Sequence, residues 1–570
     1  MKRILITLIA CLILGHQAYA QNVPPGDEAG ADATRFQREV KLKQKALEKK
    51  KPEPPKIEIE EPEKKSETKG LSFILTDLTI TGTTAFKPKD FKPLYESYIG
   101  KKISFADLNA IAAAIKAKYK EKGYLTTTTY IPQQDIVDGK AEIKIAEGTM
   151  GNLSVEGNKW FSSSLIKRFI HLKKNEILNI FGLQKDLLRL NQNSDLEIKT
   201  ILSPGAEPGT SDITLQIKDK FPYHLGLSVD NQGTRLVGYY RPAVSVRSTN
   251  LTGNNDSLFV NTMLSAGAFG ESVLYSLPVT TKGTKIGLNF TYFYTKLGKE
   301  FREYDIEGYT QLYTPYISQE LYLSEDFQAS VNVGLDIKSI KKYMDKTLTS
   351  NDQLRLPYFG FDFSKLDSFG GGGQTTFNPK FVFGTANFLG ASTRDNSKAS
   401  KSGTGGYFFK YKQYLNRIQK MPFDSYVLMQ SQFQIADRTL PSSEQFQLGG
   451  SNSVRGYPEG DYLSDIGFSF SFDWVLPMPF LPKEYKLPYS DTPLRDQIHP
   501  VLFMDVGAGR LMKTLPGERK SKVLMGIGGG FRINLYDSVS VKVEWAGHVA
   551  DQPTPGTGPS TFYLTVQSEI

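Results

Sequence analysis

From Phe221 to Ile570 apolar and polar residues alternate with a period of two, and this run of roughly 350 residues limits what the chain can become. Leu225, Leu227 and Val229 oppose Gly226, Ser228 and Asp230. Ile286, Leu288, Phe290, Tyr292 and Tyr294 oppose Gly287, Asn289 and Thr291. Phe468, Phe470, Phe472 and Trp474 oppose Gly467, Ser469, Ser471 and Asp473, and Val539, Val541, Val543 and Trp545 oppose Ser540, Lys542 and Glu544. Such alternation places one set on each face of a strand. A soluble β-sandwich would show it too. Here, however, the apolar faces are large and aromatic, while the opposite faces carry Lys and Asp in mid-strand. The last segment, Phe562, Leu564, Val566 and Ile570, repeats the pattern and is broken only by Ser568. The 50 Gly, 35 Phe and 29 Tyr favour a membrane β-barrel, with glycine at bends and aromatic girdles. Allowing about 20 residues per strand and turn predicts about 16 antiparallel strands.

The N-terminus reads as a secretory signal peptide over residues 1–20: Lys2 and Arg3, the apolar run Ile4–Leu14, and the cleavage site Ala18-Tyr19-Ala20 before Gln21. Leu8-Ile9-Ala10-Cys11 formally resembles a lipoprotein box, but the apolar run before it is very short and continues past it. Cys11 is the only cysteine, so cleavage removes thiol and disulfide chemistry. Beyond the signal no stretch reaches the ~18 apolar residues of a spanning helix. The net charge of +9 is spread along the chain, as for a solvated surface and interfacial belt rather than a nucleic-acid patch.

Residues 21–70 differ in material. Thr34–Lys51 suggests a short basic helix with Phe36, Val40 and Leu47 as its apolar points. Lys51-Pro52-Glu53-Pro54-Pro55 and the Glu/Lys run to Lys69 predict an extended linker. From Leu71 a globular pattern occurs twice. Ile80-Thr81-Gly82-Thr83-Thr84-Ala85-Phe86 matches Val155-Glu156-Gly157-Asn158-Lys159-Trp160-Phe161. In the first copy Ser104 and Asp107 predict a helix cap, followed by Leu108, Ile111, Ala112, Ile115 and Tyr119 at helical spacing. Strands follow near Thr126–Ile131 and Ala141–Ala146. The second copy offers helices near Ser163–His171 and Gly182–Asn191, then strands near Leu196–Leu202 and Asp212–Lys218. Each unit reads as a strand, two helices and two strands, over residues 71–147 and 148–220.

No catalytic constellation is visible. The five His include one in the signal and none at metal-ligand spacing, and there is no Ser elbow or phosphate loop. Gly370–Gly373 precedes no helix and reads as a loop. Two other segments stand out: Gly449-Gly450-Ser451-Asn452-Ser453-Val454-Arg455-Gly456-Tyr457, and Phe503-Met504-Asp505-Val506-Gly507. Taken singly, the first is a glycine-punctuated hairpin and the second a strand start.

Taken together, Val454-Arg455-Gly456-Tyr457 resembles the V-R-G-Y loop motif of the outer-membrane assembly and secretion superfamily, and Phe503-x-Asp505-x-Gly507 its F-x-D-x-G strand motif. The tandem units resemble polypeptide-transport-associated (POTRA) domains. Asp230-Asn231-x-Gly233, Gly238, Asn250-Leu251-x-Gly253-x-x-Asp256 and Leu277-Pro278-Val279 resemble early barrel strands of two-partner-secretion transporters, the relatives that secrete haemolysins and filamentous adhesins. The chain departs from the pattern in ending on Ile570 rather than an aromatic residue.

The resemblance implies a membrane β-barrel at 221–570 in the bacterial outer membrane, preceded by two α+β POTRA domains in the periplasm. It implies that the sixth extracellular loop folds into the barrel and that Arg455 meets Asp505 there, with Gly456 permitting the turn and Tyr457 packed on the wall. Residues 21–70 would supply a pore-plugging helix, Thr34–Lys51, and its leash. The function implied is export of a dedicated partner protein without nucleotide hydrolysis, cofactor or nucleic acid. The pore would be a monomer in contact with outer-membrane lipid and lipopolysaccharide. An insertase for other barrels and a passive porin are the alternatives. Insertase relatives usually carry three or more POTRA units, and a porin needs none.

Overall fold

The computed structural model describes residues 28–48, 57–59 and 72–570, except 489, 491, 515–517, 537 and 554–557. The signal-peptide reading and most of the linker lie outside the described residues.

Sixteen antiparallel strands close into a barrel, each paired with its neighbour in the chain. The polar faces turn inward: Asn289, Thr291, Asp336, Lys338, Asp505 and Glu544 are buried, while Leu225, Leu288, Val333, Trp545 and Phe562 face outward and are exposed. This inverts a soluble protein and matches a wall between lipid and a polar lumen. The first strand, Tyr223–Asp230, closes on the last, Ser560–Glu569. Their ladder runs only from Gly226↔Glu569 to Asp230↔Thr565, the shortest of the barrel among the described residues. Leu225 and Ile570 extend it by exchanging backbone hydrogen bonds of 2.9 Å each. The departure at Ile570 therefore leaves closure intact, since the backbone makes it.

Both N-terminal units have their own apolar cores. In the first, Leu108, Ile111, Ala112, Ile115 and Tyr119 are buried on the helix Phe105–Glu121, whose Ser104/Asp107 capping box is formed. In the second, the helices Ser163–Phe169 and Ile180–Leu190 cover the strands Thr149–Glu156, Leu196–Pro204 and Thr210–Asp219. The repeated glycine loops are held alike. Glu147 accepts from the backbone N–H of Thr84 and Ala85, both at 2.9 Å, and from Tyr119 Oη at 2.7 Å. In the second unit Asp219 accepts from the N–H groups of Trp160 and Phe161 at 2.6 and 2.9 Å. An acid at the end of the last strand thus gathers the donors of a turn that lacks backbone partners.

Three expectations are corrected. The first unit's leading helix shrinks to short turns over Pro88–Tyr98, because Lys87 ahead of Pro88 is extended (φ −82°, ψ 140°) and Pro88 and Pro93 each remove a backbone donor. The N-terminal helix begins six residues earlier than read, at Glu28, and is described to Glu48. Within the linker, Ile57–Ile59 pairs in parallel with Thr200–Leu202 and adds a strand to the second unit's sheet.

The second unit is tied to the near rim of the barrel. Asp195 meets His224 Nε2 at 2.8 Å and accepts from Thr249 Oγ1 at 2.7 Å, and Arg247 Nη1 donates to Ser194 Oγ at 3.0 Å. Arg189 donates to Glu320 at 2.6 Å and to the Thr281 carbonyl at 2.8 Å. Burial raises the Asp195 carboxyl, but the hydrogen bonds from His224 and Thr249 and the Arg247 charge hold it below its ordinary value.

Candidate functional site

Between the eleventh strand, Tyr426–Ala436, and the twelfth, Ile466–Val475, the chain forms a long loop that folds back into the lumen. Its short hairpin pairs Phe446–Leu448 with Tyr462–Ser464. Phe446, Leu448, Val454 and Tyr457 bury themselves with Leu524 of the wall. The loop carries its own apolar core, which lets a polar lumen hold it.

At the tip Arg455, 3% exposed, reaches Asp505, 0% exposed, on the thirteenth strand, Ile498–Arg510. Nε donates to Oδ2 at 2.7 Å, Nη2 to Oδ1 at 2.8 Å, and the Arg455 backbone N–H to Oδ2 at 2.9 Å. The pair is bidentate, the geometry in which guanidinium and carboxylate bind best. Phe503 lies under the guanidinium, 3.5 Å from ring centroid to Cζ. Arg455 also donates to Ser471 at 3.0 Å, to Glu544 at 3.1 Å and to Asp473. Arg532 pairs with Asp473 as well, and Lys542 lies 3.0 Å from Glu544. Three cations thus face three carboxylates, so the desolvated charges balance.

The other motif residues serve this approach. Gly456 has φ +94°, and a Cβ there would lie 2.9 Å from the Gly547 carbonyl carbon, so a side chain has neither conformation nor space. A Cβ on Gly507 would lie 2.6 Å from Leu448 and 2.9 Å from Val454, so the wall is thinned where the loop core touches it. Tyr563 Oη accepts from Gly456 N–H at 3.0 Å, and Tyr457 Oη accepts from Met525 N–H at 3.3 Å. All seven residues of the two motifs meet here. Sequence reasoning missed the roles of Ser471, Asp473, Arg532, Lys542, Glu544 and Tyr563. Asp473, Lys542 and Glu544 stood among the polar-face residues, and charge in mid-strand was the available signal.

The N-terminal helix lies inside the barrel beside this loop. Phe36 packs on Phe293 with centroids 5.4 Å apart, and Ala33, Phe36 and Val40 share a buried cluster with Phe259, Met263 and Leu274. Thr34 Oγ1 donates to the Ser443 carbonyl at 3.0 Å, and Gln447 Nε2 donates to the Ala31 carbonyl at 2.6 Å. Arg35 sits 3.0 Å from Asp32 and 3.9 Å from Glu459 of the loop. Glu39 accepts from Asn452 of the loop at 3.2 Å and from Arg241 of the second strand at 3.1 Å. Arg241 in turn donates to both oxygens of Asp230 at 2.7 and 3.2 Å, at the closing seam.

Comparison with known proteins fits this architecture. Residues 209–533 match the family model of the haemolysin secretion/activation protein ShlB/FhaC/HecB, and residues 73–148 match the ShlB-type POTRA domain. The heme/hemopexin transporter protein HuxB of Haemophilus influenzae is 24% identical over 498 residues, 84% of this chain and 84% of its own length. The outer membrane transporter CdiB of Escherichia coli is 23% identical over 505 residues, 85% of this chain and 82% of its own length. The solved structure of CdiB from Escherichia coli superposes with a TM-score of 0.73 at 20% identity, covering 97% of this chain and all (100%) of that one. CdiB from Acinetobacter baumannii gives 0.69 at 16% identity, covering 96% and 100%. With more than half its length matched, the chain belongs to the haemolysin secretion/activation (ShlB/FhaC/HecB) family of two-partner-secretion transporters, whose barrel lies in the outer membrane and whose POTRA domains face the periplasm.

Proposed function

We propose that this form is the resting state of a pore dedicated to one exported partner protein, with the N-terminal helix as its plug and the Arg455 loop as its latch. The observation that carries this reading is Glu39, which joins the helix to Asn452 of the loop and to Arg241 beside the seam. A helix leaving the lumen breaks both contacts at once, so plug, loop and seam change together. A single chain closes the barrel, and the working unit is a monomer in outer-membrane lipid.

The client arrives unfolded and docks on POTRA sheet edges, where added strands gain main-chain hydrogen bonds without strict sequence demands. The linker strand Ile57–Ile59 already covers the Leu196–Pro204 edge of the second POTRA domain. A client strand at that edge displaces the linker, and the linker is the leash of the plug. Docking at the POTRA domain and release of the helix are thereby one exchange. No nucleotide is consumed.

A disulfide tests the plug. A Cβ on Gly30 would lie 3.1 Å from Ser443 Cβ, close to the ~3.5–4.5 Å of disulfides. Gly30→Cys with Ser443→Cys should stop secretion when oxidised and restore it when reduced. Secretion indifferent to the crosslink would exclude a mobile plug.

A further inference from the structure

Near the extracellular rim the outward face of the barrel carries cations where the alternation calls for apolar residues. Arg355, on the eighth strand Thr347–Asp367, lies between the buried Leu354 and Leu356 and so faces away from the lumen. Its Nε donates to the Leu389 carbonyl at 2.9 Å and its Nη1 to the Leu354 and Lys338 carbonyls at 2.9 and 3.2 Å, so the outward donor is Nη2. The chain around Leu389 folds back along this strand, with Ser392 N–H on the Gln353 carbonyl at 2.8 Å. From the same loop the exposed Arg394 stacks on Tyr407, its Cζ 4.1 Å from the ring centroid. The exposed Arg438 lies 4.7 Å from that ring and also pairs with Asp437 at 2.9 Å. Two guanidinium groups thus share one tyrosine ring. Among the described residues neither Arg355 nor Arg394 makes an ion pair; Asp395, next to Arg394, is exposed and makes none either.

Just below, toward the middle of the membrane, lies a column of outward aromatic rings. Phe359 and Phe381 stack at 4.6 Å, Phe359 and Phe383 at 6.3 Å, and Phe383 meets Phe409 at 5.2 Å. Phe359, Phe383 and Phe409 are exposed. Phe409 N–H donates to Asp437 at 2.8 Å, which sets the column directly against the arginine patch.

At the edge of an apolar band arginine is tolerated because its long side chain reaches the interface, where the phosphates of lipid headgroups lie. Arginine forks suit phosphate, and stacking on Tyr407 holds two of them in place for it. We propose that Arg355, Arg394 and Arg438, set around Tyr407, bind the phosphorylated headgroup of an outer-leaflet glycolipid of the lipid A class, whose acyl chains lie on Phe359, Phe381, Phe383 and Phe409. A glycolipid with more than one phosphate matches three separate guanidinium groups above one aromatic column. A phospholipid offers one phosphate, and free phosphate makes no use of the column.

The test uses the purified full chain in detergent, titrated with bisphosphoryl lipid A, monophosphoryl lipid A, phosphatidylglycerol and inorganic phosphate, with binding read by native mass spectrometry. Wild type should bind bisphosphoryl lipid A at least about tenfold more tightly than phosphatidylglycerol, with the monophosphoryl form between them. The triple variant R355A/R394A/R438A should lose that preference while remaining a heat-modifiable barrel. Equal binding by the triple variant, or equal binding of phosphatidylglycerol or inorganic phosphate to wild type, would overturn the proposal. Should the variant fail to assemble, the wild-type comparison of bisphosphoryl with monophosphoryl lipid A decides alone, equal binding overturning it.

Discussion

Arg455 and Asp505 share two hydrogen bonds of 2.7 and 2.8 Å in the barrel lumen, and the arginine backbone adds a third of 2.9 Å to the same carboxylate. The loop is therefore held by both its side chain and its main chain. Replacing Arg455 by Ala leaves Asp473, Asp505 and Glu544 facing only Arg532 and Lys542. A buried charge stripped of its partner costs about 3–5 kcal/mol. Arg455→Ala should lower the temperature of heat modification and reduce secretion of the partner about tenfold or more. Arg455→Lys should recover little, since an ammonium cannot span both carboxylate oxygens. Wild-type behaviour of both variants would exclude a latch.

Gly456 tests the geometry rather than the charge. Gly456→Ala keeps every ion but places a methyl 2.9 Å from the Gly547 backbone at φ +94°. The loop tip should shift, and proteolysis of the loop from outside the cell should become faster. Unchanged protection would mean that the tip tolerates a side chain.

Glu39 tests the coupling of plug and seam. Glu39→Ala removes the acceptor for Arg241 and Asn452. In planar bilayers this variant should open more often than wild type, with the same fully open conductance. Removing residues 28–48 should give the open conductance throughout. Closed-state occupancy equal to wild type would show that the helix is held by its apolar face alone.

The junction between the second POTRA domain and the barrel should respond to acid. The folded Asp195 carboxyl lies below its ordinary value of about 4. A depressed carboxyl contributes stability that is full above that ordinary value and lost as pH falls through the folded value. Hydrogen exchange at Ser194–Leu196 should therefore speed up below about pH 4 in wild type. Asp195→Asn should exchange faster already at neutral pH and show a flatter profile. Identical profiles would remove Asp195 from the junction.

The barrel was legible because alternation survives any register: Leu225 and Leu227 must share a face whichever strand they pair with. The two repeated units were legible from their glycine loops and from the buried stripe on Phe105–Glu121. Arg455 and Asp505 stood out only through motif resemblance, since fifty positions separate them and nothing local points from one to the other. Asp473, Glu544 and Arg532 looked like any lumen-facing polar residue; what distinguishes them is adjacency across strands, which needs the register. The strand Ile57–Ile59 was hidden for a related reason: a Pro/Glu/Lys context predicts no strand, and the edge of Leu196–Pro204 supplies the partner. Arg355 went unread in the sequence; its outward place between the buried Leu354 and Leu356 is visible only in the folded barrel.

The most direct measurement of the central claim is the amount of partner exoprotein in the medium from cells whose transporter lacks residues 71–219. The account predicts a barrel that still assembles and is heat-modifiable, with the partner absent from the medium and retained in the periplasm. Partner secreted at wild-type levels by that barrel would contradict it.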